Sequence, residues 1–304
     1  MVALYKKTLA GRKKKNTNPV IILFMVLFSF MCVYPFWYIM VLSFNDATDA
    51  FRGGIYFWPR RFSLANFATV FRNQYLTGSF MISVARVLIM AVAVPLIASL
   101  YAYALSQMEL VGWKFFRWIL IVPMYIGGGV IPFYILLRNL NLLNTFLVYI
   151  IPFLFGSFNV LLFRSYFSNL SASLRESAIL DGANEIQVYF RIVVPISIPV
   201  FAAVSLFTGV GNWNDWSTGQ LYVSDTRLYP IATILLQIIR STNAGAVDGG
   251  ANVVQQILEN TTMRVTTESV RYAMIVVATV PILLIYPLLQ KYFIHGIMIG
   301  AVKE

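Results

Sequence analysis

Six stretches of nineteen or more consecutive residues carry no charged side chain. They are Asn16 to Asn45 (30 residues), Val87 to Met108 (22), Trp118 to Leu137 (20), Asn139 to Phe163 (25), Ile192 to Asn214 (23) and Tyr272 to Gln290 (19). A helix rising about 1.5 Å per residue crosses some 30 Å of hydrocarbon in roughly 20 residues, so each run is long enough for one crossing. A thirteen-residue run, Asn73 to Ala85, is continuous with the second apart from Arg86 and belongs to the same predicted helix. The expectation is an all-α polytopic membrane protein with six transmembrane helices.

Composition removes the competing classes. Hydrophobic residues make up 59% of the 304 and charged ones 12%, about half the charge of a soluble domain, too little to clothe a water-facing shell. A soluble enzyme is therefore excluded. Disorder requires low hydrophobicity, and the single cysteine, Cys32, has no partner for a disulfide framework within the chain. The apolar start is twice the length of a signal-peptide core and carries an aromatic cluster, Val33 to Tyr38, so it reads as a retained anchor.

Charge sets the expected orientation. Short loops rich in Lys and Arg stay in the cytoplasm, and the densest basic cluster is Lys6, Lys7, Arg12, Lys13, Lys14 and Lys15. With that end inside, the segments 1–18, 107–117, 164–191 and 291–304 are cytoplasmic and hold all eight lysines. Their net charge is +8, against +2 for the outer segments, and Arg86 completes the total of +11. The basic balance is thus a topology signal, and nucleic-acid binding is not expected. This divides the chain into a cytoplasmic N-terminal segment, 1–18, a transmembrane domain, 19–295, and a cytoplasmic tail, 296–304.

Two predicted outer segments are long, 46–77 and 215–271. The first contains Leu64, Phe67 and Phe71 at helical spacing with Ser63 as a cap, which predicts a short amphipathic helix along the membrane surface. The second includes a Gly- and Ala-rich stretch, Asn243 to Asn252. On the inner side, Ser173-Leu174-Arg175-Glu176 has capping-box spacing and predicts a helix start. Asp181-Gly182 predicts a reversal, and Pro195 ends the segment at the entrance to the fifth span. Helices shorter than about 12–15 residues are marginal alone, so this one needs a surface to dock on: the chain's own helix ends, or a separate cytoplasmic protein.

The string Glu176-Ser177-Ala178-Ile179-Leu180-Asp181-Gly182-Ala183, followed by Phe190, Ile192, Pro195 and Pro199, resembles the EAA loop of ABC-importer permease subunits. Ser177 departs from the family's first alanine, a small residue in place of a small one. Tyr34-Pro35 with Ser43-Phe44, Ala102-Tyr103-Ala104-Leu105-Ser106, Trp213-Asn214-Asp215 and Pro287-Leu288-Leu289-Gln290-Lys291-Tyr292-Phe293 resemble the carbohydrate-uptake branch, specifically its maltose-type second permease. The long outer loop before Arg271-Tyr272-Ala273 is similar to the subgroup handling larger or uronate-containing oligosaccharides.

The resemblance implies a type I ABC importer permease fold in the bacterial cytoplasmic (inner) membrane, with both termini cytoplasmic. A coupling loop at 171–195 would present Glu176, Ser177, Ala178, Asp181, Gly182 and Ala183 to an ATPase, with the tail Ala301 to Glu304 reaching the same interface. It also implies a second homologous permease, two ATP-binding cassette subunits, an extracytoplasmic solute-binding protein, an oligosaccharide substrate and surrounding membrane lipid. This chain contains no G-x-x-x-x-G-K-[ST] loop, so ATP and Mg belong to the partner ATPase; no cofactor, metal or catalytic residue is expected here.

Sugars are held by aromatic faces and by hydrogen bonds to their hydroxyls. The candidates for the substrate path are Tyr125, Asn212, Trp213, Asp215 and Trp216, each of which also suits helix packing or an interfacial belt. Arg86 is the one charge inside a predicted span; it either snorkels or pairs, or it lines the cavity and favours an anionic sugar. His295 has no second ligand for a metal, and Gly127-Gly128-Gly129 marks a kink or a close helix approach. Asn169 and Asn260 match glycosylation sequons of low specificity. The alternatives are an importer permease for another solute and an ion-driven secondary transporter; against the latter, no Asp, Glu or His lies in the six runs.

Overall fold

A computed structural model describes residues 18–50, 52–106, 112–243 and 266–300. The basic cluster before Asn18, most of the Gly- and Ala-rich stretch after Asn243, the Asn260 sequon and the tail from Ala301 lie outside the described residues. The described residues are helical, with one isolated backbone bridge between Asn45 and Phe62.

Helix α1 (Pro19–Ser43) starts where Pro19 takes the first position and the Asn18 side chain accepts the Val20 N–H at 3.1 Å. Its apolar side chains from Val20 to Phe30 are largely exposed, as befits a helix whose solvent is lipid rather than water. Its far end is tied down. Asn66, on α2 (Ala65–Arg72), donates from Nδ2 to the Ser43 and Asn45 carbonyls, both at 2.9 Å. Leu64, not the expected Ser63, takes the cap position, without a side-chain cap bond; Ser63, one residue earlier, still accepts the Ala65 N–H at 3.2 Å. The buried side of α2 differs from the expected one: Asn66, Thr69 and Val70 face inward, while Leu64 and Phe71 are exposed. The need to satisfy the carbonyls at the end of α1 decides the helix's rotation.

Helix α3 (Gln74–Ser106) runs unbroken for 33 residues through Arg86 and Pro95, about 50 Å at the usual rise. Asn73 caps it, its Oδ1 accepting the Tyr75 N–H at 2.9 Å. The third run is not one helix. It divides into α4 (Trp113–Tyr125) and α5 (Val130–Asn139) at Gly127–Gly129, where Gly129 takes a φ of +77° that suits no L side chain. Each glycine in a helix costs about 1 kcal/mol relative to alanine, so three in succession favour a break over a continuous span.

The fourth run is also interrupted. Short 3₁₀ turns, Phe146–Tyr149 and Ile151–Phe153, precede α6 (Ser157–Phe167), with a 44° bend between them where Pro152 and Gly156 interrupt the hydrogen-bond ladder. Next come α7 (Ala172–Leu180), α8 (Glu185–Ile196) and α9 (Ile198–Asn214). Helix α8 contains a π turn at Tyr189–Val193 and meets α9 at 78° around the buried Ser197. Then follow α10 (Ser217–Tyr222), α11 (Ile231–Asn243) and α12 (Thr267–Gly300).

Among the described residues, α1, α3 and Thr267–Ile285 of α12 are long and apolar enough to cross a membrane singly. Counting each of the two bent pairs as one span brings the number to five. The remaining expected span, Trp118–Leu137, is divided between α4 and α5, neither of which is long and apolar enough to cross singly.

Two apolar cores lie one above the other along α3. Met90 and Val94 join Tyr149, Trp213, Ile231, Ile234 and Met274 in the first. Ala98, Ala102 and Leu105 join Leu120, Phe163, Tyr189 and Val204 in the second. Helix α3 packs most extensively against α9 and α6, and α12 closes the bundle against α1 and α9.

Candidate functional site

A cavity of about 600 Å³ opens between α3, α5, α6, α9 and α10. Its apolar wall includes Phe133, Phe153, Phe158 and Phe207; its polar wall includes Arg86, Asn159, Thr208, Asn212, Asp215 and Tyr222. The mix of ring faces with a few convergent polar groups suits a hydroxylated organic solute.

Arg86 is 2% exposed, and its partners account for that burial. Nη2 donates to Asp215 Oδ2 at 2.6 Å, Nε to Asn212 Oδ1 at 2.9 Å and Nη1 to the Asp215 carbonyl at 3.4 Å. The guanidinium also lies over the Tyr149 ring, 4.8 Å from its centroid, where the ring's negative face favours a cation. Asp215 is equally committed. Oδ1 accepts Ser217 N–H at 3.0 Å, Ser217 Oγ–H at 2.7 Å and Thr218 N–H at 3.2 Å, and Oδ2 accepts Thr218 Oγ–H at 2.5 Å. A carboxylate one residue before the cap position, Trp216, accepts the first two N–H groups of α10 and turns the chain out of α9. A buried ion pair survives where hydrogen bonds fill its remaining valences, and here they do.

Three of the sequence-predicted residues, Arg86, Asn212 and Asp215, thus come together on the cavity wall. The other three do not. Trp213 points away, donating to the Ala278 carbonyl on α12 at 2.8 Å and packing edge-on against Phe80. Trp216 is half-exposed beside Arg240, and Tyr125, 84% exposed at the end of α4, is not among the residues that line the cavity. Successive residues on a helix point about 100° apart, so Asn212 and its neighbour Trp213 do not share a wall. Sequence reasoning missed Asn159 and Tyr222. Asn159 had a signal, a polar amide within the fourth charge-free run; Tyr222 had none.

A second polar cluster lies at the other end of α3, around α7. The α7 N-terminus differs from the expected capping box. Ser171 takes the cap position without a side-chain cap bond, and its hydroxyl pairs with that of Ser173 at 2.7 Å. The capping box sits instead at α8, where Asn184 Oδ1 accepts the Gln187 N–H at 2.8 Å and Gln187 Oε1 accepts the Asn184 N–H at 3.0 Å. Between the helices Gly182 reverses the chain at φ +88°, as its place after Asp181 predicted.

Glu185 is the hub of this cluster. Its carboxylate accepts from Arg175 Nε at 3.1 Å, pairs with Arg175 Nη2 and accepts the Tyr103 phenol of α3 at 2.6 Å. The Arg175 hydrogen bond, helped by Tyr103, holds its carboxyl below the ordinary glutamate range against the opposing effect of burial. Ala178 is buried beneath the turn, whereas Leu180 (87% exposed), Ile186 and Phe190 project outward. The cluster therefore presents an apolar knuckle on a polar, hydrogen-bonded base.

No family model matches the chain. It is 32% identical over 285 residues, covering 92% of itself and 96% of the relative, to the polygalacturonan/rhamnogalacturonan transport system permease protein YtcP of Bacillus subtilis. Protein LplC of the same organism is 32% identical over 297 residues, 97% of each chain. The arabinooligosaccharides transport system permease protein AraQ of Halalkalibacterium halodurans is 26% identical over 301 residues, 95% of this chain and 99% of that one. Among solved structures, a chain of a bacterial ABC transporter involved in the import of the acidic polysaccharide alginate superimposes with a TM-score of 0.79 at 25% identity. That match covers 93% of this chain and 98% of the other.

Proposed function

Because this chain belongs to the family of ABC-importer permease subunits, we propose that it forms, with a second homologous permease, the membrane pathway for acidic oligosaccharides. The observation that carries the substrate class is the near-full-length likeness to a permease named for polygalacturonan and rhamnogalacturonan transport. The alginate importer, similar over 93% of the chain, supports the same class.

In this reading α7 and the turn after it form the coupling helix on the cytoplasmic side. Glu176, Ser177, Ala178, Asp181, Gly182 and Ala183 form its EAA loop, and exposed Leu180 and Ile186 seat in the ATPase subunit. Both termini lie on that same side. ATP and Mg are held by two partner ATPase subunits, and an extracytoplasmic binding protein delivers the sugar. ATP-driven closure of the motor pushes on α7 and switches the cavity between inward and outward access, which requires the sugar and the motor to favour different states. Within the cavity, Asn212, Asn159 and Tyr222 supply hydrogen bonds to hydroxyls and the phenylalanines supply ring faces.

Co-purification from the native membrane, followed by uptake of tri-galacturonic acid into reconstituted liposomes, tests the proposal. The expected result is recovery of a nucleotide-binding subunit and a second permease, with ATP-dependent uptake. A solitary chain that transports without ATP, or a complex that takes up only neutral sugars, would overturn it.

A further inference from the structure

Helix α3 and the chain from Glu185 to Asp215 run antiparallel and are joined by polar contacts at four levels. Tyr103 donates to Glu185 at 2.6 Å, and the Ser99 and Tyr189 hydroxyls share a hydrogen bond at 2.7 Å. Ser205 donates to the Ala91 carbonyl at 2.7 Å, and Arg86 grips Asn212 and Asp215. The first two ties lie beside α7; the last lies on the cavity. Ser99 and Tyr189 are both essentially inaccessible to solvent.

The backbone of α8 and α9 is a poor transmitter of motion. It bends by 78° at Ser197, holds a π turn at Tyr189–Val193, and carries Pro195 and Pro199, which donate no hydrogen bond. Displacement of α7 passed along this path alone would be absorbed at the corner. Helix α3 also carries an interior proline, Pro95, but it stays one helix over its 33 residues, and the Ser205 hydroxyl donates to Ala91, the carbonyl that Pro95 leaves without its helical N–H. Glu185 is one carboxylate that touches both Arg175 on α7 and Tyr103 on α3.

We propose that Tyr103 and Glu185, together with Ser99 and Tyr189, are positioning residues for energy coupling: they bypass the Ser197 corner and deliver motion of α7 to α3, and so to the Arg86 end of the cavity. Apolar side chains at these places would fill the same space without fixing the register of the two segments. The inference rests on the importer reading above.

The test uses the complete transporter, with partner permease, ATPase and binding protein, in liposomes loaded with ATP. Uptake of tri-galacturonic acid and ATP hydrolysis are measured together for Tyr103→Phe and Ser99→Ala. Sugar moved per ATP is expected to fall about five-fold in Y103F, the equivalent of one hydrogen bond, while hydrolysis stays near wild type. Glu185→Gln leaves one acceptor oxygen for two donors, Arg175 and Tyr103, and is expected to lose at least as much. An unchanged ratio in Y103F, or a parallel fall in uptake and hydrolysis, would overturn the inference. If Y103F fails to assemble with the ATPase, the same ratio in S99A decides. Failure of the wild-type chain to recover any ATPase would sink the importer reading instead, so the two failures are distinguishable.

Discussion

Arg86 and Asp215 meet at 2.6 Å across the α3–α9 interface, so the one cation among the residues lining the cavity is already neutralised by its neighbour. This pair closes the corner between α9 and α10 rather than offering a vacant anion site. Arg86→Ala is therefore expected to reduce uptake of neutral and acidic oligosaccharides alike, and Asp215→Ala to reproduce it. Removing either partner strands the other at a site where that costs about 3 kcal/mol or more. Arg86→Lys should recover part of the loss. Selective loss of acidic uptake in R86A, measured against a neutral trisaccharide, would show that Arg86 contacts the substrate carboxylate instead.

Two glycines near the cavity are expected to behave oppositely. A Cβ on Gly219 would collide with the Thr233 hydroxyl and lie 3.1 Å from Pro230 Cδ, so Gly219→Ala forces α10 away from α11. Overpacking of this kind typically costs about 1–3 kcal/mol and should lower the melting temperature of the purified complex. Gly211 meets nothing within 4 Å and lines the cavity. Gly211→Ala should raise the melting temperature slightly, because glycine within α9 costs about 1 kcal/mol relative to alanine, and alter the KM for sugar. Equal thermal stability of the two variants would contradict this packing.

The reversal after α7 depends on a backbone conformation that side chains resist. Gly182→Ala at φ +88° is expected to cost about 1–2 kcal/mol locally. It should weaken retention of the ATPase on an affinity column loaded with this chain. Asp181→Asn leaves that backbone unstrained and should retain the ATPase better than G182A. Identical retention would show that the turn does not set the knuckle's shape.

The hub at Glu185 has a definite pH sign. Arg175 and Tyr103 face it, and the Arg175 hydrogen bond first of all lowers its carboxyl below the ordinary 4.5. A group whose value is lowered on folding contributes stability above its unfolded value and loses it as pH falls through the folded one. Amide protection across 185–193, corrected for intrinsic exchange, should therefore hold at neutral pH and decay only in acid, as pH falls below 4.5. In Glu185→Gln that acid decay should disappear. Protection already lost near pH 6 in the wild type would refute the assignment.

The Asp181-Gly182 reversal was readable from residues, because local backbone chemistry decides it, whereas the EAA-like string was legible only as a resemblance to a family. Ser173 and Glu176 misled for a related reason: capping-box spacing recurs along the chain, and which copy forms depends on where packing lets the helix begin. The box at Asn184 and Gln187 formed because α8 starts there against α3. Trp213 and Asn212 stood side by side in sequence and equal as candidates; packing against Phe80 and Ala278 sent the first into the bundle and left the second on the cavity.

Long charge-free runs were enough to demand a helical bundle with apolar surroundings, since a hydrocarbon layer tolerates little else. They were not enough to say which runs stay straight. Gly127–Gly129 break their run in an exposed stretch through the glycines' own backbone freedom, whereas the corner at Ser197 is fully buried and its angle is set by three-dimensional packing. The partner of Arg86 was likewise hidden, because 129 residues separate it from Asp215 and pairing across that distance exists only once α3 and α9 lie side by side.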